Sequence, residues 1–170
     1  NTYDSIASRL MSYASAQGRT RVVVVYPQTP VGQIGRSAVV KATAGTNVKV
    51  VGDGSFQFSE QGIVAAVPSI ANTIKETGAT AVMLTSDSTG ALPLLAQLLP
   101  EQGVSPSVTK YIGLTRWDVP AQTLSLPGIQ GGWFALPDPA PVAQFNARYS
   151  STYGGSAHPL AGLAYDGVAA

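Results

Sequence analysis

The stretch RVVVVYPQTPVGQIG, residues Arg21–Gly35, passes from an unbroken apolar run through a proline-marked polar turn into a segment with two glycines. A continuous valine run of this length is typical of a strand buried on both faces, as in a parallel sheet. Gly32 and Gly35 fall in the helix that follows, where we expect them to ease its start and its packing. The stretch therefore predicts a buried strand that turns sharply into a helix.

The same order of a helical pattern, a glycine and a short apolar run occurs four times along the chain. A glycine just past a helix end can adopt the left-handed conformation that closes the last turn, so the glycines at 18, 45, 78 and 103 are predicted to end helices. A fifth apolar run follows a less regular connection, and two more helices are expected after it. The predicted strands are Arg21–Tyr26, Val48–Gly52, Ala81–Thr85, Val108–Gly113 and Gly132–Leu136.

Helices that alternate with buried parallel strands predict an α/β fold, with a three-layer, doubly wound, mostly parallel five-stranded sheet in one Rossmann-like lobe. The chain has 170 residues, a length typical of one domain, so residues 1–170 are expected to form a single lobe. The leucine stripe at 94–99 is predicted to face the core. Pro68 argues against an unbroken helix from Glu60.

Composition excludes several classes of function. Ten basic and nine acidic residues give a net charge of +1, and only 11% of residues are charged, so no basic surface predicts a nucleic-acid partner. Cysteine is absent, and His158 is the only histidine, so no metal site is predicted. No apolar run approaches the roughly 18 residues of a membrane span. The first eighteen residues lack the pattern of a secretory signal, which we expect upstream of residue 1 if the protein is exported.

Three patterns that would indicate an enzyme or a nucleotide site are incomplete. A dinucleotide site needs G-x-G-x-x-G after the first strand, whereas the turn offers Gly32 and Gly35 only. No serine has the flanks of a nucleophile elbow, and His158 and Asp166 show no convergence with a serine. The SDSTG segment at 86–90 could hold a phosphate, but its Asp and Ser are better explained as N-cap residues of the leucine-striped helix. We therefore predict neither catalytic residues nor a cofactor.

Doubly wound sheets bind ligands at the carboxyl ends of their strands. The loop TRWD at 115–118 allows two interpretations. Arg116 clamps an anion and Trp117 stacks on a flat ligand, or Arg116 pairs with Asp118 and Trp117 seals the loop onto the domain. The candidate ligand-binding residues, taken from the loops after the first, third and fourth strands, are Gln28, Thr29, Val31, Ser86, Asp87, Ser88, Thr115, Arg116 and Trp117.

Several blocks, taken in order, resemble one lobe of a known family. RVVVVYPQTPVGQIG, ATAVMLTSDSTGALPLLAQLL, KYIGLTRWD, GGWFALPDP, FNARYSSTYG and AGLAYDGVAA are similar to the second lobe of type I periplasmic solute-binding proteins, the Leu/Ile/Val-binding class of ABC transporter receptors. In that family two lobes close over a small polar solute such as an amino acid and serve a membrane permease. The resemblance implies a periplasmic location, a first lobe upstream of residue 1 and a chain that continues past residue 170.

The resemblance also marks where this chain departs from amino-acid receptors. Val31 stands where those receptors carry a tyrosine, Asp87 where they carry an aromatic residue, and Thr115 where they carry the carboxylate that pairs with the ligand's ammonium group. Asp87 and Asp118 are the candidates to replace that carboxylate. These departures argue against an ordinary branched-chain amino acid as the ligand.

A second resemblance concerns the segment from LPGIQGGWFALPDPAP to LAGLAYDGVAA. It is similar to the periplasmic-binding-like domain of penicillin-binding protein activators of the LppC type, which are outer-membrane lipoproteins that contact a peptidoglycan synthase. That resemblance implies a lipid anchor at a missing N-terminus and a regulatory protein contact in place of solute delivery. A transport receptor and such an activator both remain open, and a small α/β enzyme is the third alternative.

Overall fold

The computed structural model describes residues 2–87, 90–118 and 121–135. Within these residues the chain alternates between helices and strands, as the sequence predicts. The helices are α1 (Thr2–Ala16), α2 (Pro30–Ala42), α3 (Glu60–Glu76) and α4 (Leu92–Glu101), with short 3-10 helices at Ala121–Ser125 and Pro127–Ile129. The strands are β1 (Arg21–Pro27), β2 (Lys49–Phe56), β3 (Ala81–Leu84), β4 (Lys110–Gly113) and β5 (Trp133–Phe134).

The five strands form one parallel sheet in the order β2-β1-β3-β4-β5. The α/β fold and the five-stranded sheet are confirmed. The chain leaves β1 toward β2 on one side and then returns to place β3 on the other side, so strand order reverses beside β1. A crevice forms at such a switch point, outside the carboxyl ends of the strands, and is the usual ligand position in this architecture.

The valine run of β1 supplies both faces of the sheet. Val22 and Val24 pack into the core formed with α1 and α2, whereas Val23 and Val25 pack into the core formed with α3 and α4. All four side chains are fully buried. An unbroken apolar run is required here because each face of the central strand is covered by a helical layer.

The four predicted helix-ending glycines adopt the left-handed conformation. Gly18, Gly45, Gly78 and Gly103 have φ of 78°, 77°, 63° and 91°. This prediction is confirmed, and it follows from the low cost of that conformation for a residue without a Cβ atom. These turns lie at the amino edge of the sheet, opposite the expected ligand edge.

The prediction of a helix break before Pro68 is wrong. Helix α3 runs without interruption from Glu60 to Glu76 and contains Pro68. Proline removes the hydrogen bond to the carbonyl four residues earlier, which belongs to Val64. Pro68 and Val64 are both exposed, so water can satisfy that carbonyl, and the buried face of the helix continues through Val67, Ile70 and Ile74.

The second strand is longer than its apolar run predicts. Strand β2 continues from Lys49 to Phe56, through two glycines and Asp53. A Cβ atom at Gly52 would lie 2.9 Å from the Thr73 side chain, and one at Gly54 would lie 2.9 Å from the Ile70 side chain. The glycines therefore let α3 pack directly on an edge strand that a hydrophobic pattern alone does not reveal.

Several predictions fall outside the described residues. These are the end of the fifth predicted strand at Leu136, the two final helices, and the positions of His158 and Asp166. Among the described residues, no helix combines the length and apolar character needed to cross a membrane.

Candidate ligand-binding site

A cavity of about 300 Å³ opens at the carboxyl edge of the sheet, above the point where strand order reverses. This volume lies at the lower end of the range usual for small-molecule sites. Segments after β1, β2, β3 and β4 contribute to it, together with the first turn of α1. Its lining residues are Tyr3, Pro27, Thr29, Val31, Gly32, Gly35, Phe58, Thr85, Ser86, Asp87, Gly90, Ala91 and Thr115.

The turn from β1 into α2 forms one wall. Thr29 is the N-cap of α2, and its Oγ1 atom accepts a hydrogen bond from the Gly32 amide at 3.0 Å. A Cβ atom at Gly32 would lie 2.0 Å from the Pro27 carbonyl oxygen, so the turn requires glycine at this position. Val31 is 61% exposed and lines the cavity. Gln28 is directed elsewhere, since its Nε2 atom donates to Ser55 Oγ at 3.1 Å.

The end of β3 and the loop after β4 form the floor. Thr85 Oγ1 donates to the Val25 carbonyl at 3.2 Å, and Thr115 Oγ1 donates to the Ser86 carbonyl at 3.1 Å. Both threonine hydroxyls therefore hold neighbouring strands in register at the floor. Ser86 is only 8% exposed, and its Oγ atom has no hydrogen-bond partner among the described residues. Ser86 thus presents a buried hydroxyl whose hydrogen-bonding capacity is unused.

The prediction that Asp87 caps the following helix is wrong. Helix α4 begins at Leu92, its N-cap position is Ala91, and no side chain caps it. The turn is closed by the Asp87 main chain, whose carbonyl accepts from the Gly90 and Leu92 amides at 3.1 and 3.3 Å. The apolar Ala91–Leu92 start is buried in the core, which moves the helix start past the polar residues. Ser88, the other predicted cap and site residue, lies outside the described residues.

The carboxylate of Asp87 approaches an aromatic ring at the mouth of the cavity. The position of a Cβ atom on Gly90 would be 3.2 Å from Asp87 Oδ1 and 3.7 Å from Phe58 Cε1. Both atoms therefore lie within 4 Å of the position that a side chain at residue 90 would occupy. Phe58 is 62% exposed, an unusual position for a large apolar side chain.

In the TRWD loop the second of the two interpretations holds: Arg116 pairs with Asp118, and Trp117 packs into the domain. Arg116 Nε donates to Asp118 Oδ1 at 3.0 Å, and Arg116 does not line the cavity. Trp117 is fully buried, with its ring centroid 5.7 Å from that of Phe134. Neither residue is therefore a cavity-lining group, which corrects the interpretation of Arg116 as an anion clamp and of Trp117 as a stacking surface. Asp118, partnered by Arg116, does not line the cavity either.

The structure thus brings five of the nine predicted site residues to one cavity: Thr29, Val31, Ser86, Asp87 and Thr115. Sequence reasoning missed Phe58 and Tyr3. Phe58 follows the carboxyl end of β2. The apolar run ends at Gly52, so the predicted strand ended four residues before the actual strand end at Phe56. Tyr3 lies on α1, and nothing in the sequence distinguishes it from the other residues of that helix.

The described lining of the cavity carries a single formal charge, which is negative. Asp87 is the one charged residue among the described lining residues. No cluster of three metal-ligating side chains occurs in the part of the chain that the structure describes. The arrangement can hold a small molecule between apolar walls and a hydroxyl-bearing floor, with a single carboxylate at the mouth.

Comparisons with known proteins agree with this geometry. A family model described as periplasmic binding protein matches residues 1–170. No curated protein matches the chain. A branched-chain amino acid ABC transporter periplasmic ligand-binding protein from Burkholderia xenovorans LB400 is similar in structure, with a TM-score of 0.63 and 20% identity over 89% of this chain and 40% of that chain.

Two solute-binding proteins of ABC transporters from R. palustris are also similar. One, in complex with 4-hydroxybenzoate, has a TM-score of 0.61 and 14% identity, covering 97% of this chain and 46% of that chain. The other, in complex with benzoate, has a TM-score of 0.53 and 18% identity, covering 66% of this chain and 30% of that chain. This chain therefore spans less than half the length of these three structures.

A doubly wound lobe with a cavity at its switch point defines a ligand-binding α/β domain. The match of the family model over residues 1–170 is more specific, and the chain belongs to the periplasmic binding protein family. The extent of the match, compared with the length of the similar structures, corresponds to one lobe of that fold.

Proposed function

We propose that this chain is the ligand-binding lobe of an extracytoplasmic solute-binding protein that delivers a small molecule to an ABC-type membrane permease. The cavity at the carboxyl edge of the sheet carries the proposal, because it combines apolar walls with a few convergent polar groups. Family membership supports the same function. A second lobe would complete the cavity, and closure of the two lobes would hold the solute.

The chemistry of the cavity supports binding without catalysis. A serine nucleophile needs an adjacent base that accepts its proton. Ser86 Oγ has no such partner among the described residues, and the threonine hydroxyls of the floor bond to main-chain carbonyls. Bound solute would therefore leave unchanged.

The proposal is tested by ligand binding to the full-length protein. We expect a rise in melting temperature and a calorimetric signal with one member of a panel of amino acids, small acids and sugars that includes benzoate and 4-hydroxybenzoate, because a ligand bound only by the native state stabilises it. Val31→Asp, which places a charge in the cavity wall, should weaken that binding at least about tenfold, or ~1.4 kcal/mol.

Val108→Asp is the matched control. Val108 is about as exposed as Val31, at 68% against 61%, but it lies in the turn before β4 and does not line the cavity. The affinity of Val108→Asp for the same solute should stay within about twofold of that of the parent protein, a difference of well under 1 kcal/mol. If neither melting nor calorimetry responds to any compound of the panel, the transport-receptor function is contradicted.

One observation favours a second candidate, the penicillin-binding protein activator. Large apolar side chains are at least half exposed at Val31 and Phe58, which line the cavity, and at Ile34 on α2, and such residues can mark a protein contact. For this candidate we expect a peptidoglycan synthase to copurify with the full-length protein and to be lost with Val31→Asp plus Ile34→Asp. Synthase retained by that double variant would count against it.

A further inference from the structure

We propose that the amino edge of the sheet, opposite the cavity, is a membrane-contacting surface that binds anionic phospholipid headgroups. The turns and helix ends along this edge place a row of cations beside an exposed valine. The inference goes beyond the proposed function, because it concerns the far side of the lobe and does not require a bound solute.

The row of cations follows the order of the strands. Three of the five strands begin with a cation, namely Arg21 in β1, Lys49 in β2 and Lys110 in β4. Arg21 and Lys49 are register partners on neighbouring strands. Arg19 supplies the cation at β3, because its Nη1 atom donates to the Thr80 carbonyl just before that strand at 3.3 Å. Strands lie about 4.8 Å apart, so the row extends about 14 Å from β2 to β4.

The amino edge differs in charge from the rest of the described residues. Its turns and helix ends carry six cations and two carboxylates, an excess of four positive charges, whereas the other described residues carry three cations and five carboxylates. Four α-helices end here. The carbonyls at each helix end contribute roughly half a negative charge, so a positive excess of about two remains. The six cations are Arg19, Arg21, Lys41, Lys49, Lys75 and Lys110, and the two carboxylates are Glu76 and Glu101.

The charges of these six cations are not compensated within the described residues. Two arginines elsewhere on the lobe pair with aspartates, but none of the six forms an ion pair with a described carboxylate. Those with a hydrogen-bond partner donate to neutral main-chain carbonyls, as Arg21 Nε does to the Thr77 carbonyl at 3.0 Å. Burial, and then the charge of Arg19, lower the pKa of Lys110. Like charges therefore lie close together at this edge, where an anionic surface would relieve their repulsion.

An exposed valine favours a lipid surface over a soluble polyanion as the partner. Val108 is 68% exposed in the turn before β4, and its carbonyl accepts from Arg19 Nη1 at 2.8 Å. Lys110 follows two residues later. A soluble polyphosphate makes no use of a valine side chain. A bilayer binds the cations at its headgroups and takes the apolar side chain into the boundary below them.

Cosedimentation of the full-length protein with lipid vesicles tests the inference. One set of vesicles is phosphatidylcholine alone, and the other contains about 30% phosphatidylglycerol. The anionic vesicles should bind at least about tenfold more tightly, because each lysine or arginine near an anionic surface strengthens binding about fivefold. The preference should fall steeply between about 50 and 500 mM salt, since salt screens such contacts.

Paired variants locate the contact. Arg21→Gln plus Lys49→Gln should weaken binding to the anionic vesicles at least about tenfold. Gln33→Glu plus Gln61→Glu is the matched control, because it changes the net charge equally at exposed positions in the first turns of α2 and α3, at the opposite edge. Melting curves report folding. Should Arg21→Gln unfold the protein, Lys41→Gln plus Lys49→Gln replaces it, since neither lysine side chain has a hydrogen-bond partner among the described residues.

A second comparison separates lipid from soluble polyanion. Val108→Ser should weaken binding to the anionic vesicles at least about threefold, because it removes apolar surface that the bilayer covers. The same variant should bind inorganic polyphosphate as the parent does. Binding of polyphosphate without binding of anionic vesicles would overturn the assignment to a lipid surface.

The remaining outcomes each decide the inference. Equal affinity for the two kinds of vesicle, binding to neither, or equal losses in the edge variant and its matched control would overturn it. A salt-sensitive preference for anionic vesicles that the edge variant loses and the control retains supports it. Solute binding should be unchanged in the edge variant, and a silent solute panel would contradict the proposed function while leaving this inference intact.

Discussion

Replacement of Trp117 separates its packing role from ligand binding. The ring is fully buried and lies against two glycines, so closely that a Cβ atom would fall 2.2 Å from it at Gly113 and 2.7 Å from it at Gly132. Phe134 packs beside it at a centroid distance of 5.7 Å. We expect Trp117→Ala to leave a cavity that the rigid strand ends cannot close.

The cost of that cavity follows from the size of the side chain. Removal of a buried tryptophan side chain typically costs about 3–5 kcal/mol in the free energy of unfolding. For a chain of this length, each kcal/mol lowers the melting temperature by roughly 2–4 °C, so a decrease of about 6–20 °C is expected. Trp117→Phe should cost much less, about 1–2 kcal/mol, because it fills most of the space and removes the indole N–H, which has no partner among the described residues.

Urea denaturation, with the slope held common to all variants, measures the stability of the two proteins. Calorimetric titration with whichever solute binds the parent measures their affinity. We expect Trp117→Phe to keep that affinity within about twofold, under 1 kcal/mol, because Trp117 does not line the cavity. A loss below about 1 kcal/mol in Trp117→Ala, or lost affinity in a fully stable Trp117→Phe, would contradict a purely structural role for Trp117.

Three further predictions concern single residues. Gly32→Ala should lower the free energy of unfolding by about 1–3 kcal/mol in urea denaturation, because the added Cβ atom would overlap the Pro27 carbonyl. Ser86→Ala should leave the melting temperature of the ligand-free protein unchanged or raise it, since it removes a buried hydroxyl without a partner among the described residues. Burial raises the pKa of Tyr111 well above its ordinary value. Above about pH 10 the unfolded state alone loses that proton, so the stability of the parent should fall with rising pH by up to about 1.4 kcal/mol per pH unit. Tyr111→Phe should lack this part of the decrease, as measured by denaturation at about pH 9 to 11.

The fold could be predicted where local chemistry and long-range packing agree. The valine run of β1 indicates burial on both faces, and the structure covers both faces with helices. The glycines at 18, 45, 78 and 103 end helices as predicted because their conformation is a local property. These features needed no knowledge of which elements touch.

The fold was mispredicted where tertiary contacts override a local preference. Pro68 would break an isolated helix, but α3 continues because its opposite face is buried against the sheet. Strand β2 continues through Gly52 and Gly54 because α3 packs on them, which no hydrophobic pattern reports. In both cases the deciding contact is made with an element distant in sequence.

For the candidate site, position in the fold could be predicted more readily than side-chain direction. Thr29, Ser86 and Thr115 reach the cavity because they follow strands at its carboxyl edge. Trp117 follows a strand in the same way, yet Gly113 and Gly132 leave room for its ring inside the core. The sequence contains both glycines, but only the folded chain places them on the two sides of the indole.

A structure of the full-length protein with its bound solute shows whether the cavity at the carboxyl edge of this sheet is the binding site. We expect the solute at the carboxyl edge of the sheet, with a polar group within about 3.2 Å of Ser86 Oγ, which has no partner among the described residues, and an apolar portion against Phe58 and Val31. A solute bound elsewhere, with this cavity empty or covered by a partner protein, would contradict the proposed binding role of the cavity.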